Sequence, residues 1–372
     1  MTFFERFTFS ALLISSVLLF SSCGGTDSDT DNNSSTVRSD MLEQTANNII
    51  LPSYQAFRTE VTSLKEAGDN FAENATEETL TDLQDQLKNT RLAWQHVSLF
   101  QFGTAKTVLL RTSANTFPAD TDQIEDNIDA GDYTLGSISN QAAAGFPTLG
   151  YLLHGQDETN QQILAAYTEA EDAQKRLKYL QDNLSFIANK TSEVVSAWEE
   201  NEGQNFLNAE NAGTDTGSSL GMLVNAMVRH YERFLRDGKV GIPAGVRSAG
   251  VPRPTATEAY YGGYSVELAL ANLEATKRLF TGAGYDGSSG TGLEENLDAL
   301  GHEELSDDII TELDQAKSAL ETLQDPLSTQ IESNNDPVLT AFQELQQVLT
   351  LIKADMTSRL GVTITYQDND GD

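Results

Sequence analysis

Ile163, Ala166, Ala170, Ala173, Leu177, Leu180, Leu184, Ile187, Thr191, Val194 and Trp198 recur in unbroken steps of three and four. That spacing places them on one face of an α-helix, whereas a strand would scatter them over both faces of a sheet. The stripe predicts a helix of roughly forty residues, about 60 Å long at about 1.5 Å rise per residue. Shorter stripes precede it. Phe57, Val61, Leu64, Gly68 and Phe71 form one, with Pro52 at its start or kink; Leu80, Leu83, Leu87, Arg91 and Trp94 form another, with Asn74 and Glu77 as a capped start. Between them and the long stripe, residues 103–145 are irregular and rich in Gly, Asp, Thr and Asn, with a short helix expected near 122–128.

After a polar, Gly/Asn-rich stretch at 199–217, helices are expected at 218–237, 265–280, 306–331 and 336–360, separated by loops rich in glycine and proline. Asp336-Pro337 makes a good helix start and Gly361 a good stop. Period-two alternation is confined to short runs such as 362–366. The expected fold is therefore all-α: two packed helical-bundle-like halves, about 41–200 and about 218–361, joined by long loops and closed by a short acidic tail.

With 23 Lys+Arg against 56 Asp+Glu, the net charge is −33. Nucleic-acid phosphates would be repelled, which excludes that class of partner. The lone cysteine, Cys23, removes disulfide frameworks and thiolate metal sites. Residues 1–22 have signal-peptide anatomy, and Leu19-Phe20-Ser21-Ser22-Cys23-Gly24 looks like a bacterial lipobox with Cys23 as the lipidated residue. Residues 23–40 are small, polar and acidic, and read as a flexible tether. These features point to the bacterial cell envelope, with a lipid anchor in the outer membrane and either a periplasmic or a surface-exposed face.

The long stripe is preceded by Gly145-Phe146-Pro147-Thr148-Leu149-Gly150-Tyr151-Leu152-Leu153-His154-Gly155, a glycine and proline entry into an apolar segment. This stretch resembles the central motif of the imelysin (insulin-cleaving membrane protease) family of bacterial envelope proteins. Other pieces follow in the same order: Arg91-x-x-Trp94, Phe102-Gly103, Phe117-Pro118-Ala119-Asp120, Arg176-x-x-Tyr179-Leu180, Tyr264-Ser265, Ala271-Asn272-Leu273 and Leu360-Gly361-Val362-Thr363-Ile364. The resemblance covers roughly 41–372, with Gly145, Pro147, Gly150 and Tyr151 as the motif scaffold. Family members proposed to bind metal carry Gly-x-His-x-x-Glu; here those two ligand positions are Pro147 and Gly150.

Other chemistry can be weighed from the residues alone. None of His96, His154, His230 and His302 forms His-Glu-x-x-His. His154, Asp157 and Glu158 could offer nitrogen and oxygen ligands to a divalent ion such as iron or zinc, although Asp157 also suits a helix cap. The terminal Asp368-Asn369-Asp370-Gly371-Asp372 resembles the first half of a calcium loop, but the chain stops short of the bidentate Glu, so a frayed acidic end is the better reading. Arg229, Arg233 and Arg236, at i, i+4 and i+7 beside His230, are counter-charge for neighbouring acids or a pocket for an anionic ligand such as a haem propionate, siderophore or phosphate.

Taken with the resemblance, these residues imply a non-enzymatic envelope lipoprotein that binds iron or an iron-containing ligand, with an outer-membrane transport protein as a partner. A metal-dependent peptidase and a structural surface-interaction protein are the alternatives.

Overall fold

The structure, a computed structural model, describes residues 27–156 and 158–366. The signal segment, Cys23, Asp157 and the acidic end at 367–372 lie outside the described residues. All regular structure among the described residues is helical, and the alternating run at 362–366 forms no strand. No helix among them is long and apolar enough to cross a membrane.

In the first half the Leu51–Glu73 helix packs against both Glu77–Val97 and Ala173–Ala197. Its buried Phe57, Val61, Leu64, Gly68 and Phe71 are the predicted stripe. Gly68 allows the close approach: a β-carbon there would run into the side chain of Leu184 on the third helix. The second helix is capped at Thr76, two residues beyond the expected Asn74. Thr76 Oγ1 accepts from Thr79 N at 3.2 Å while Thr79 Oγ1 accepts from Thr76 N at 3.1 Å.

The long stripe is divided, forming Asn160–Thr168 and Ala173–Ala197. At the break its only contribution is Ala170, which is exposed, so no apolar burial holds the helix together there. Residues 27–40 also differ from expectation, being helical within Asp27–Gln44 rather than a tether. Buried Met41, Leu42, Ala46 and Ile49 nucleate helix at their C-terminal side, and propagation backwards adds one hydrogen bond per residue. Ser34 is buried, and Arg38 Nη1 reaches Ala212 O at 3.5 Å.

The second half contains Ser219–His230, Ser265–Thr281, Glu303–Glu321 and Asp336–Thr350. The expected 306–331 helix ends at Glu321 and resumes as Leu327–Ser333, because Pro326 lacks an N–H and disfavours helical backbone at Asp325. Asp325 instead caps the neighbouring Ser265–Thr281 helix, where its Oδ1 and Oδ2 each accept from Val266 N at 3.0 Å. Glu77–Val97 lies against Ser265–Thr281, and one hydrophobic cluster running from Met41 to Val362 joins the halves.

Candidate functional site

From Tyr231 to Gly241 the Ser219–His230 helix widens into π-helical turns, with i→i+5 bonding. In an α-helix Arg229, Arg233 and Arg236 would share a face; the wider turn rotates Arg236 away. Arg229 and Arg233 line a cavity of about 490 Å³ between the halves. Arg236 is instead buried elsewhere, its Nε donating to Asp237 Oδ1 at 3.0 Å and its Nη1 to Gln346. Its assignment to a ligand site is thereby corrected.

The opposite wall comes from the irregular 103–145 region, with Lys106, Arg111 and Phe117, while Phe234 joins the arginines on the near wall. The lining thus brings together Lys106, Arg111, Arg229 and Arg233, and no carboxylate among the described residues. In a chain of net charge −33 such a concentration of cations gives this wall a local positive field, which would favour negative charge. The volume falls within the roughly 300–1,000 Å³ typical of small-molecule sites. Leu109, 55% exposed and held at φ 56°, also borders the cavity, a conformation strained for a leucine.

Arg111 is held by neutral groups. Its Nη2 donates to Ser98 O and, at 3.0 Å, to His230 Nδ1, and its guanidinium lies 3.9 Å from the Phe234 ring centroid. Burial, then Arg229, pushes Arg111 down to about 9, which leaves it cationic at neutral pH. Burial, then Arg111 and Lys239, holds His230 well below the usual imidazole range, so it is neutral. Buried His230 therefore supports the cavity from behind Arg111 rather than lining it.

One layer deeper sits Glu258. Its Oε1 accepts from Gln95 Nε2 at 3.1 Å and from Asn115 Nδ2 at 2.7 Å, and its Oε2 pairs with Lys239. Burial raises the Glu258 carboxyl, but Lys239 and Arg91 outweigh it and hold it below the usual range. Asn115 also lines the cavity, so a residue of the cavity wall hydrogen-bonds the ion pair.

The Gly145 motif lies alongside. Gly145 has φ 84°, and a β-carbon there would meet Ser113 O at 2.6 Å, so only glycine fits. Pro147 opens the Phe146–His154 helix and borders a space of only about 10 Å³, room for roughly one water. A β-carbon at Gly150 would lie 3.5 Å from Arg91 Nη1. Tyr151 donates to Glu125 Oε1 at 2.8 Å.

His154 is pushed down to about 4 by burial, then by Arg91. Its Nε2 is buried and has no hydrogen-bond partner among the described residues. Glu158 is exposed, with its carboxylate against Gly155. No three His, Cys, Asp or Glu side chains gather into a metal-sized cluster among the described residues, which do not include Asp157.

Sequence reasoning missed Lys106 and Arg111. A signal existed: they are the only basic residues in the whole 103–145 segment.

The fold and site define an all-α protein of two helical halves around a cationic cavity. The chain matches the model of a peptidase family, Imelysin, over residues 50–355, and it belongs to that family. Among solved structures it is similar to a protein described as an iron-regulated protein A precursor from Parabacteroides distasonis ATCC 8503. That match has TM-score 0.72 and 17% identity, covering 91% of this chain and 97% of that one. An imelysin-like protein from Psychrobacter arcticum 273-4 is similar at TM-score 0.61 and 18% identity, covering 89% and 98%. Among curated proteins none matches the chain.

Proposed function

We propose that this protein binds a small anionic ligand in the cavity between its halves, as a lipid-anchored envelope protein in iron acquisition. The ligand class is an iron chelate bearing carboxylate or phosphate groups. One observation carries the reading: Lys106, Arg111, Arg229 and Arg233 line the cavity with no carboxylate among the described residues. The similarity to a protein described as iron-regulated supports the link to iron. Anchoring through Cys23 rests on the lipobox alone.

Calorimetry with citrate, ferric citrate and phosphate tests the reading. Stoichiometric binding that weakens with salt, and at least tenfold in an Arg111→Ala/Arg229→Ala double variant, is the expected result. No binding of any of the three, or binding indifferent to those arginines, counts against it. Tighter binding of ferric citrate than of citrate would attach the site to iron.

The metal reading rests on the orphaned His154 Nε2, and the neighbouring Arg91 opposes a second cation there. For the peptidase reading, Pro147 and Gly150 at the family's ligand positions supply neither a metal ligand nor a proton-transfer group.

A further inference from the structure

Gln101 lines the cationic cavity, and the next two residues, Phe102 and Gly103, line a second pocket of about 200 Å³ with the opposite electrostatic character. Three aromatic side chains supply much of its wall. The Phe102 and Phe206 rings are stacked with centroids 5.9 Å apart, and Trp198 meets Phe102 edge-on at 6.1 Å and tilts against Phe206 at 5.9 Å. Met222 and Asn205 contribute further wall, and no lysine or arginine lines the pocket among the described residues.

Asn211 completes the wall together with Glu202, the one charged side chain in the lining among the described residues. Glu202 Oε1 accepts from Thr104 N at 2.5 Å and from Thr104 Oγ1 at 2.6 Å. Its Oε2 is buried and has no hydrogen-bond partner among the described residues. The backbone makes room for this carboxylate: Gly103 has φ +53°, and a β-carbon there would lie 2.8 Å from Glu202 Cδ. Trp198 and Glu202 are the two ends of the π-helical Trp198–Glu202 turn, a distortion that often accompanies functional sites.

A buried carboxylate oxygen without a partner is unfavourable until positive charge reaches it. Aromatic faces carry negative potential and attract cations without offering hydrogen bonds. A metal ion would want several charged or strongly polar ligands, and this pocket offers one carboxylate beside the neutral amides of Asn205 and Asn211. An alkylated ammonium needs none beyond that charge, because its methyl groups pack on the rings. The volume is below the roughly 300 Å³ lower end for drug-sized ligands, which suits a headgroup rather than a whole cofactor.

We propose that this pocket binds a quaternary ammonium group, using Glu202 for charge and Phe102, Trp198 and Phe206 as an aromatic cage. The site is independent of the anion cavity, so either reading can fail without the other.

The test titrates the full chain with choline and with 3,3-dimethyl-1-butanol, its neutral isostere, by calorimetry. Saturable choline binding, with the isostere at least tenfold weaker, is expected. Glu202→Gln keeps an acceptor for Thr104 and should lose choline at least tenfold while melting near the wild-type temperature. If that variant does not fold, Trp198→Leu supplies the second reading, with the same loss expected. Binding only to phosphatidylcholine vesicles, and not to phosphatidylglycerol vesicles, assigns the same site to a lipid headgroup. Equal binding of choline and its isostere, choline binding unchanged in the folded variant, or no binding of choline in either form overturns the proposal.

Discussion

Arg111 Nη2 donates to His230 Nδ1 at 3.0 Å, and since guanidinium has no acceptor, that contact fixes the imidazole as its Nε2–H tautomer. Nε2 then donates to Asn272 Oδ1 at 3.0 Å. A buried neutral histidine thus clamps a cation that faces the cavity, joining the irregular segment of the first half to two helices of the second. His230→Leu removes the clamp. Stability should fall by about 1–3 kcal/mol, the cost of stranding buried polar partners. Citrate affinity should fall several-fold as Arg111 loses its orientation. Urea denaturation and calorimetry read the two effects, and unchanged affinity in a folded variant would detach His230 from the site.

The Glu258–Lys239 pair gives a second prediction. Both side chains are buried, so Glu258→Ala strands the Lys239 ammonium and should cost about 3–5 kcal/mol. A Glu258→Ala/Lys239→Met double variant should recover much of that loss, because the stranded charge is gone. Urea midpoints for the two variants and wild type decide it; a single variant within about 1 kcal/mol of wild type would show that the pair is not structural.

Much of this architecture was legible because its carriers are apolar and periodic. Phe57 to Phe71 and Leu80 to Trp94 are buried as their spacing demanded. What escaped depended on weaker or non-local causes. An alanine can keep a stripe in phase without holding a helix together, which is why Ala170 hid the break at 169–172. The π-helical widening after His230 leaves no periodic trace, so Arg236 was placed on the wrong face. Lys106 and Arg111 were overlooked because they meet Arg229 and Arg233 only through the packing of one half against the other.

The Gly145 motif should tolerate little. Gly145→Ala forces a β-carbon toward Ser113 O at a residue with φ 84°, and backbone strain alone is worth about 1–3 kcal/mol. Leu152 is 2% exposed, so Leu152→Asp should cost more than about 4 kcal/mol by burying an unpaired carboxylate. A near-unchanged melting temperature in Leu152→Asp would remove the motif's role as a packed anchor.

Anchoring is tested at Cys23, outside the described residues. Cys23→Ser should leave a protein that no longer labels with fatty acid or sediments with membranes, since a single-residue change removes the acylation site. Fractionation identical to wild type would refute the lipobox reading.

The last prediction concerns acid. Burial, then Arg278, pushes His96 down to about 4, and burial, then Arg91, does the same to His154. His230 is also held well below 6.5. From about pH 6.5 down to 4 the unfolded chain therefore binds protons that the folded chain refuses. Stability must fall as pH falls through that window and level off above it, by at most about 1.4 kcal/mol per pH unit for each histidine. Asp325 and Glu294, raised chiefly by burial, push the other way near the acid end, so single variants are needed to isolate each imidazole. Urea midpoints at pH 7.5, 6.5, 5.5 and 4.5 for wild type, His96→Gln and His154→Gln should show a shallower slope in each variant. The same depression at His154 sets the metal test. An iron or zinc ion held through its Nε2 would meet no proton competition until close to pH 4, so binding at pH 7 should persist at pH 5.5 and vanish in His154→Ala. Flat titrations of wild type with both metals at pH 7 would remove His154 as a ligand and leave the arginine-lined cavity as the remaining candidate site.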